Sequence, residues 1–327
     1  MTPTILSLPN LNQIATAHRL IQPYIHRTPI LTCETLNRMV GAQLFFKCEN
    51  LQKIGAFKIR GAMNTVLTLT EAEKQRGIGT HSSGNHAQAI AYAGQLQNIQ
   101  AHIVMPNNSP QVKKDAVQNY GAKVYFCEPT FEARQAKMQE ILQKTGAEFV
   151  HPYDDYRVIT GQATCAKEIY EDLEDLDLLL VPIGGGGLLS GSALATQHFS
   201  PHTKVIGAEP ALANDAYESL QTGIRHPPKP PVTIADGLRT SLGEKTFEII
   251  RDHVSEIALA SEENIIRAMR LIWERMKIII EPSCAVPLAT LLEGNVSNFK
   301  GKKIGIILTG GNVDLANLPW LSSLNQQ

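Results

Sequence analysis

The chain has 327 residues, 43% of them hydrophobic and 19% charged, the balance of a folded chain with a prior of two domains and not of a disordered one. Thirty Lys and Arg against 31 Asp and Glu leave a formal net charge of −1, which gives no electrostatic ground for a nucleic-acid partner or an anionic membrane surface. Five scattered cysteines (Cys33, Cys48, Cys127, Cys165, Cys284) without a CxxC pair fit neither a disulfide framework nor a zinc site and read as reduced buried thiols.

In chain order, short apolar, β-rich runs at 44–48, 78–82, 101–105, 122–126, 178–183, 204–208 and 303–308 predict strands. Stretches of helical period lie between them. The clearest carries Ile265, Ile266, Met269, Ile272, Trp273 and Met276, with Ser261 as its cap and Glu262 and Glu263 in its acidic first turn. Such alternation predicts an α/β fold whose mostly parallel sheets are flanked by helices. Residues 53–147 have an alternation of their own and are expected to form a small inserted domain, with 1–52 and 148–327 forming the larger one. The run His226-Pro227-Pro228-Lys229-Pro230-Pro231 reads as an extended surface loop. No apolar run reaches 18 residues and the N-terminus lacks a charged n-region, so a cytoplasmic protein without a membrane span is expected.

Five segments carry chemistry. Gly184-Gly185-Gly186-Gly187 follows a predicted buried strand and precedes a helical stretch. Its free backbone amides suit a phosphate monoester, since neither the GxGxxG spacing nor a Gly-Lys-Ser/Thr ending is present. The alternative is a flexible turn. Lys58, between Phe57 and Ile59, would lose hydration and with it part of its basicity, as Schiff-base chemistry requires; taken alone, it reads equally as a surface lysine at a helix start. Ser82-Ser83-Gly84-Asn85-His86 offers hydroxyl and amide donors to a carboxylate, or an ordinary cap. Thr309-Gly310-Gly311-Asn312 ends a buried strand, where open α/β sheets bind ligands. Glu209 and Asp215, with a carbonyl between them, suit Mg²⁺ or Ca²⁺, or a solvated loop.

In this order the five segments resemble the fold-type II pyridoxal-phosphate enzymes (the tryptophan-synthase-β-like fold), nearest to serine racemase and the serine/threonine or threo-3-hydroxyaspartate dehydratases, from Arg27-Thr28-Pro29 to Val313-Asp314. The resemblance implies pyridoxal 5′-phosphate on Lys58, with Phe57 backing its ring and Asn85 on its 3-hydroxyl. It also implies that Gly184, Gly185, Gly186, Gly187 and Leu188 hold the phosphate and that Thr309 meets the ring nitrogen. Ser82, Ser83, Asn85 and His86 would take the substrate carboxylate, and Ser83 would serve as a second base opposite Lys58. Glu209, the carbonyl of Ala213 and Asp215 match a divalent-cation site, and Arg134 is the candidate cation for a second substrate carboxylate. Of the nucleotide site of animal racemases, Lys53, Gln88, Tyr120, Lys277 and Asn312 are matched, while Cys33, Glu34 and Ile54 depart from it, which argues against ATP activation.

The implied activity is a dehydratase (ammonia-lyase) turning a 3-hydroxy amino acid such as L-serine or L-threonine into a 2-oxo acid and ammonia, with racemase activity beside it, in a homodimer. The alternatives are an enzyme that is primarily a serine racemase and, from another class, a catalytically silent amino-acid-binding protein.

Overall fold

The computed structural model describes residues 7–321 apart from Ser83, Pro110, Lys229 and Pro231, and for Val112 the backbone alone. Among the described residues ten strands are present: β1 (Ile30–Leu31), β2 (Gln43–Cys48), β3 (Ile78–His81), β4 (Ala101–Pro106), β5 (Lys123–Cys127), β6 (Glu148–Phe149), β7 (Leu178–Pro182), β8 (Lys204–Pro210), β9 (Glu256–Ala260) and β10 (Lys303–Leu308). They form a six-stranded sheet of order β1-β2-β10-β7-β8-β9 and a four-stranded sheet of order β5-β4-β3-β6. Only β1 runs antiparallel to its neighbour. The smaller sheet takes in Glu148 and Phe149, just beyond the expected limit at residue 147, because Ile78 pairs with Glu148 and Gly79 with Phe149.

The large sheet is covered on both faces, and its strands show why their sequences read as unbroken apolar runs. Successive side chains of β7 point to opposite sides. Leu178 and Leu180 join a core with Phe46, Ile304 and the helices Glu262–Met276 and Pro282–Glu293. Leu179 and Val181 join the opposite core, against the helices Tyr156–Asp172 and Gly187–Phe199. The helix predicted after Ser261 runs Glu262–Met276, with the Ser261 side chain accepting from the Asn264 amide and Ile265, Met269 and Ile272 buried. Among the described residues no helix is long and apolar enough to cross a membrane.

A buried ion cluster joins the N-terminal part of the large sheet to the helices behind it. The Arg60 guanidinium donates to Glu49 (Nε to Oε2 2.7 Å, Nη2 to Oε1 2.8 Å) and to Glu168 (Nη1 to Oε1 and Nη2 to Oε2, both 2.8 Å). Lys47 Nζ reaches Glu168 Oε2 at 2.7 Å and the Thr28 carbonyl at 2.8 Å. None of these four charged residues is more than 1% exposed. Two cations balance two anions, and the forked geometry satisfies most of their hydrogen-bonding capacity. Burial alone would raise the Glu168 pKa; His18, Arg60 and Lys47 outweigh it and hold the carboxyl well below its usual range.

Removing one partner leaves two buried carboxylates short of positive charge. Arg60→Met is expected to cost about 3–5 kcal/mol of stability, measured by urea unfolding of the cofactor-free protein. In the parent protein, Glu168 binds protons more weakly folded than unfolded, so its contribution is complete at neutral pH and is lost as pH falls below its ordinary value of 4.5. A loss of under about 1 kcal/mol in the variant would mean that the cluster does not clamp the fold.

Candidate active site

The C-terminal ends of β3, β7 and β10 open onto one cleft of about 320 Å³ between the two sheets, the position at which parallel sheets expose loop amides and helix N-termini. Lys58 is the first residue of the helix Lys58–Leu67. Its Nζ donates to the Pro152 carbonyl at 2.8 Å and lies 5.1 Å from the centre of the Phe57 ring. Burial lowers its pKa from 10.5 to about 8, against the opposing charge of Glu281. The turn ahead of it is made by Ile54 and Gly55, both left-handed (φ 58° and 69°). A Cβ at Gly55 would stand 2.7 Å from Asn312 Oδ1. Hydrogen bonds from Phe57 N to Thr309 O (3.0 Å) and from Gly311 N to Gly55 O (2.9 Å) lash this turn to the end of β10.

Asn85 begins the helix Asn85–Leu96. Its Nδ2 donates to both oxygens of Glu281 (2.9 and 3.1 Å), and its Oδ1 accepts from Asn312 Nδ2 at 2.9 Å. The amide orientation is therefore fixed. Burial and the nearby Asp236 raise the Glu281 carboxyl to about 7, while Asn85, Lys113 and Lys58 pull the other way. Across the cleft, Lys113 Nζ meets Asp236 Oδ2 at 2.6 Å.

The glycine tetrad links β7 to the helix Gly187–Phe199. Its first-turn amides have no helical acceptor, and the helix dipole favours an anion there. The glycines also serve packing. A Cβ at Gly185 would stand 2.3 Å from the Tyr153 ring, and one at Gly184 would stand 2.9 Å from Leu238 Cα. Gly186 has φ +88°. Entropically costly glycines are thus held in place by close neighbours as well as by any bound phosphate.

Ser82, Asn85, His86, Arg134, Leu188 and Thr309 line the same cleft with Phe57 and Lys58. Ser83 lies outside the described residues. His86 is buried, its Nε2 donates to Val150 O (3.2 Å), and its Nδ1 has no hydrogen-bond partner among the described residues. Burial and the charge of Lys58 keep it neutral. His81 is likewise neutral, lowered to about 4 by burial and by Arg134. The Arg134 guanidinium stands over Phe131 at 5.9 Å and donates from Nε to Thr130 O at 3.3 Å; it makes no ion pair among the described residues. Its positive charge faces the cleft uncompensated by a neighbouring carboxylate.

Glu209, Ala213 and Asp215 lie outside the cleft, where β8 meets the helix Asp215–Thr222, and all three are buried. Glu209 accepts from the amides of Ala216 (3.0 Å) and Tyr217 (2.8 Å). Its carboxyl is nonetheless raised well above its usual range, first by burial and then by the nearby Asp215 and Glu218. Among the described residues no three His, Cys, Asp or Glu side chains form a metal cluster.

The sequence profile described as "Pyridoxal-phosphate dependent enzyme" matches residues 21–310. The chain belongs to this family. It is 49% identical over 313 residues to the beta-hydroxyaspartate dehydratase of Paracoccus denitrificans, covering 96% of this chain and 99% of that one. The crystal structure of serine racemase from Dictyostelium discoideum superposes with a TM-score of 0.89 at 45% identity, covering 94% and 99%. The structure of maize serine racemase gives 0.93 at 40% identity, covering 98% of each chain.

The residues present fit the family's cofactor. A dehydrated lysine, a helix N-terminus for the phosphate, an oriented amide and an orphaned buried nitrogen share one cavity. The motif reading missed Glu281 as a site group, along with the Pro152 carbonyl, His151, Tyr153 and Lys113.

The lowered lysine predicts a pH profile. Below about 8 the Lys58 amine is protonated and cannot attack a carbonyl, so capture of pyridoxal phosphate by the cofactor-free protein should speed up about tenfold per pH unit and level off above that value. Stopped-flow absorbance measures it; a rate that is flat from about pH 6.5 to 9 would refute the assignment.

Proposed function

We propose that this protein is a pyridoxal-phosphate ammonia-lyase that removes water from a 3-hydroxy amino acid and releases a 2-oxo acid and ammonia, with preference for a substrate bearing a second carboxylate. The observation that carries the reaction type is Thr309, a hydroxyl and not a carboxylate, at the end of β10 in the cleft. Bound pyridoxal phosphate supplies electron withdrawal from the substrate's Cα, chemistry that no side chain provides. A neutral hydroxyl at the ring nitrogen keeps that withdrawal weak, which suits early loss of the 3-hydroxyl over a long-lived carbanion.

Each side chain has a part in this reading. Gly184–Gly187 and Leu188 would hold the phosphate, Phe57 would back the ring, and Asn85 would meet the 3-oxygen. Ser82, Ser83 and the amides at the start of Asn85–Leu96 receive the α-carboxylate, beside a neutral His86 that adds no competing charge. Lys58, whose amine is neutral above about 8, takes the Cα proton. Arg134 takes the second carboxylate, since its charge is uncompensated and both nearby histidines, His81 and His151, are pushed toward neutrality, first by burial. The relative at 49% identity, a beta-hydroxyaspartate dehydratase, supports this substrate class. The likeness to a serine racemase supports a second activity, with Ser83 returning a proton to the opposite face.

The test is an absorbance spectrum followed by 2-oxo acid assay with threo-3-hydroxyaspartate, L-serine and L-threonine, scoring D-serine in the same samples. A band at about 410 nm is expected to vanish in Lys58→Ala. Arg134→Met should lower kcat/KM about 10- to 100-fold for 3-hydroxyaspartate and leave that for serine within about threefold. Equal losses on both substrates would sink the second-carboxylate role, and a band without oxo acid would move the protein to the racemases.

A divalent cation held by Glu209, Asp215 and the Ala213 carbonyl completes the proposal, because clustered buried carboxylates repel one another without one. Millimolar Mg²⁺ should raise the melting temperature of the parent protein and not that of Glu209→Gln. The same rise in both would remove the site.

A further inference from the structure

We infer that Cys284 is a positioning residue for the reaction, holding the Thr309 hydroxyl in the direction of the cofactor's ring nitrogen. The inference rests on the reading of Thr309 given above. Cys284 lies in the first turn of the helix Pro282–Glu293 and is fully buried. Its Sγ stands 3.2 Å from Thr309 Oγ1, accepts from the Gly310 amide at 2.9 Å, and donates to the Gly310 carbonyl at 2.7 Å. One sulfur atom therefore touches the hydroxyl, the next amide and the next carbonyl of the segment that ends β10. The backbone of Thr309 is held from the other side by the bond from Phe57 N to its carbonyl.

A threonine side chain has three staggered positions about χ1, and the backbone alone does not choose among them. Contact with a fixed sulfur does. The choice of atom matters as well. A thiol has one hydrogen, here directed to the Gly310 carbonyl, and its sulfur is a weak acceptor. The Thr309 hydrogen is thus not captured by its neighbour and stays available to a stronger acceptor in the cleft. Burial pushes the Cys284 thiol up, with Glu281 adding to the rise, so the sulfur remains uncharged. A thiolate there would instead draw the Thr309 O–H into a strong hydrogen bond of its own.

The test measures equilibrium binding of pyridoxal phosphate to the cofactor-free full chain, with a melting curve of the same samples as the control for packing. Thr309→Val and Cys284→Ala should each weaken binding about fivefold, the worth of one hydrogen bond. The double variant should bind no more weakly than Thr309→Val alone, because the cysteine acts through the threonine. Cys284→Ser, whose oxygen is a stronger acceptor than a thiol sulfur, should compete for the Thr309 hydrogen and weaken binding about as much as Cys284→Ala. Additive losses in the double variant, or a lowered melting temperature in Cys284→Ala with unchanged binding, would reduce Cys284 to core packing and overturn the inference. Unchanged binding in Thr309→Val would instead overturn the reading of Thr309 itself, and this inference with it.

Discussion

The guanidinium of Arg60 decides where Lys58 points. Two residues apart on a helix, side chains stand about 200° apart around the axis, on nearly opposite faces. Arg60 has four hydrogen bonds to two buried carboxylates, and any rotation of the helix that breaks them leaves charges unpaired in the interior. The direction of the reactive amine is thus set by electrostatics on the far side of its own helix. Glu49 directly follows β2 and Glu168 lies on the helix Tyr156–Asp172, so the same cluster joins the sheet, the reactive helix and its support.

On the cleft side the logic reverses. There the ionisable groups are moved toward neutrality by burial: the lysine down, Glu281 up, and the three histidines down. Lys58 at about 8 and Glu281 at about 7 can gain or lose a proton at small cost near neutral pH, whereas the four charges around Arg60 cannot. One helix turn separates a region built to hold charge from a region built to exchange it.

Much of this was legible in the sequence. All seven predicted strands form, and in β7 and β10 the reason is that residues buried on both faces are apolar in an unbroken run. The two-residue strands β1 and β6 carry too little pattern to read, and Glu256–Ala260 opens on a glutamate that masked its edge strand. The glycine tetrad, the helix cap at Ser261 and the lysine between apolar neighbours were readable because each signal is local. Glu281 was not readable as a site group: its raised pKa comes from burial and from Asp236, and its partner Asn85 lies far away in sequence. Cys284, read only as a buried thiol, acquires a role through Thr309, which reaches it by the fold alone. The tetrad reads in sequence as a phosphate loop alone, whereas in the fold Tyr153 and Leu238 also press against its glycines.

The order of strands in the large sheet has a consequence for how the chain is made. Strand β10 lies between β2 and β7, so the seam that joins these two strands is supplied by a segment made well after both of them. Until then the β1–β2 pair has no neighbour on its inner side, and β7 presents an open edge along the same line. Such edges are templates for wrong pairing, and sheets assembled from distant segments close slowly. A growing chain of this architecture must therefore keep the exposed edges of β2 and β7 from pairing wrongly until β10 has been made.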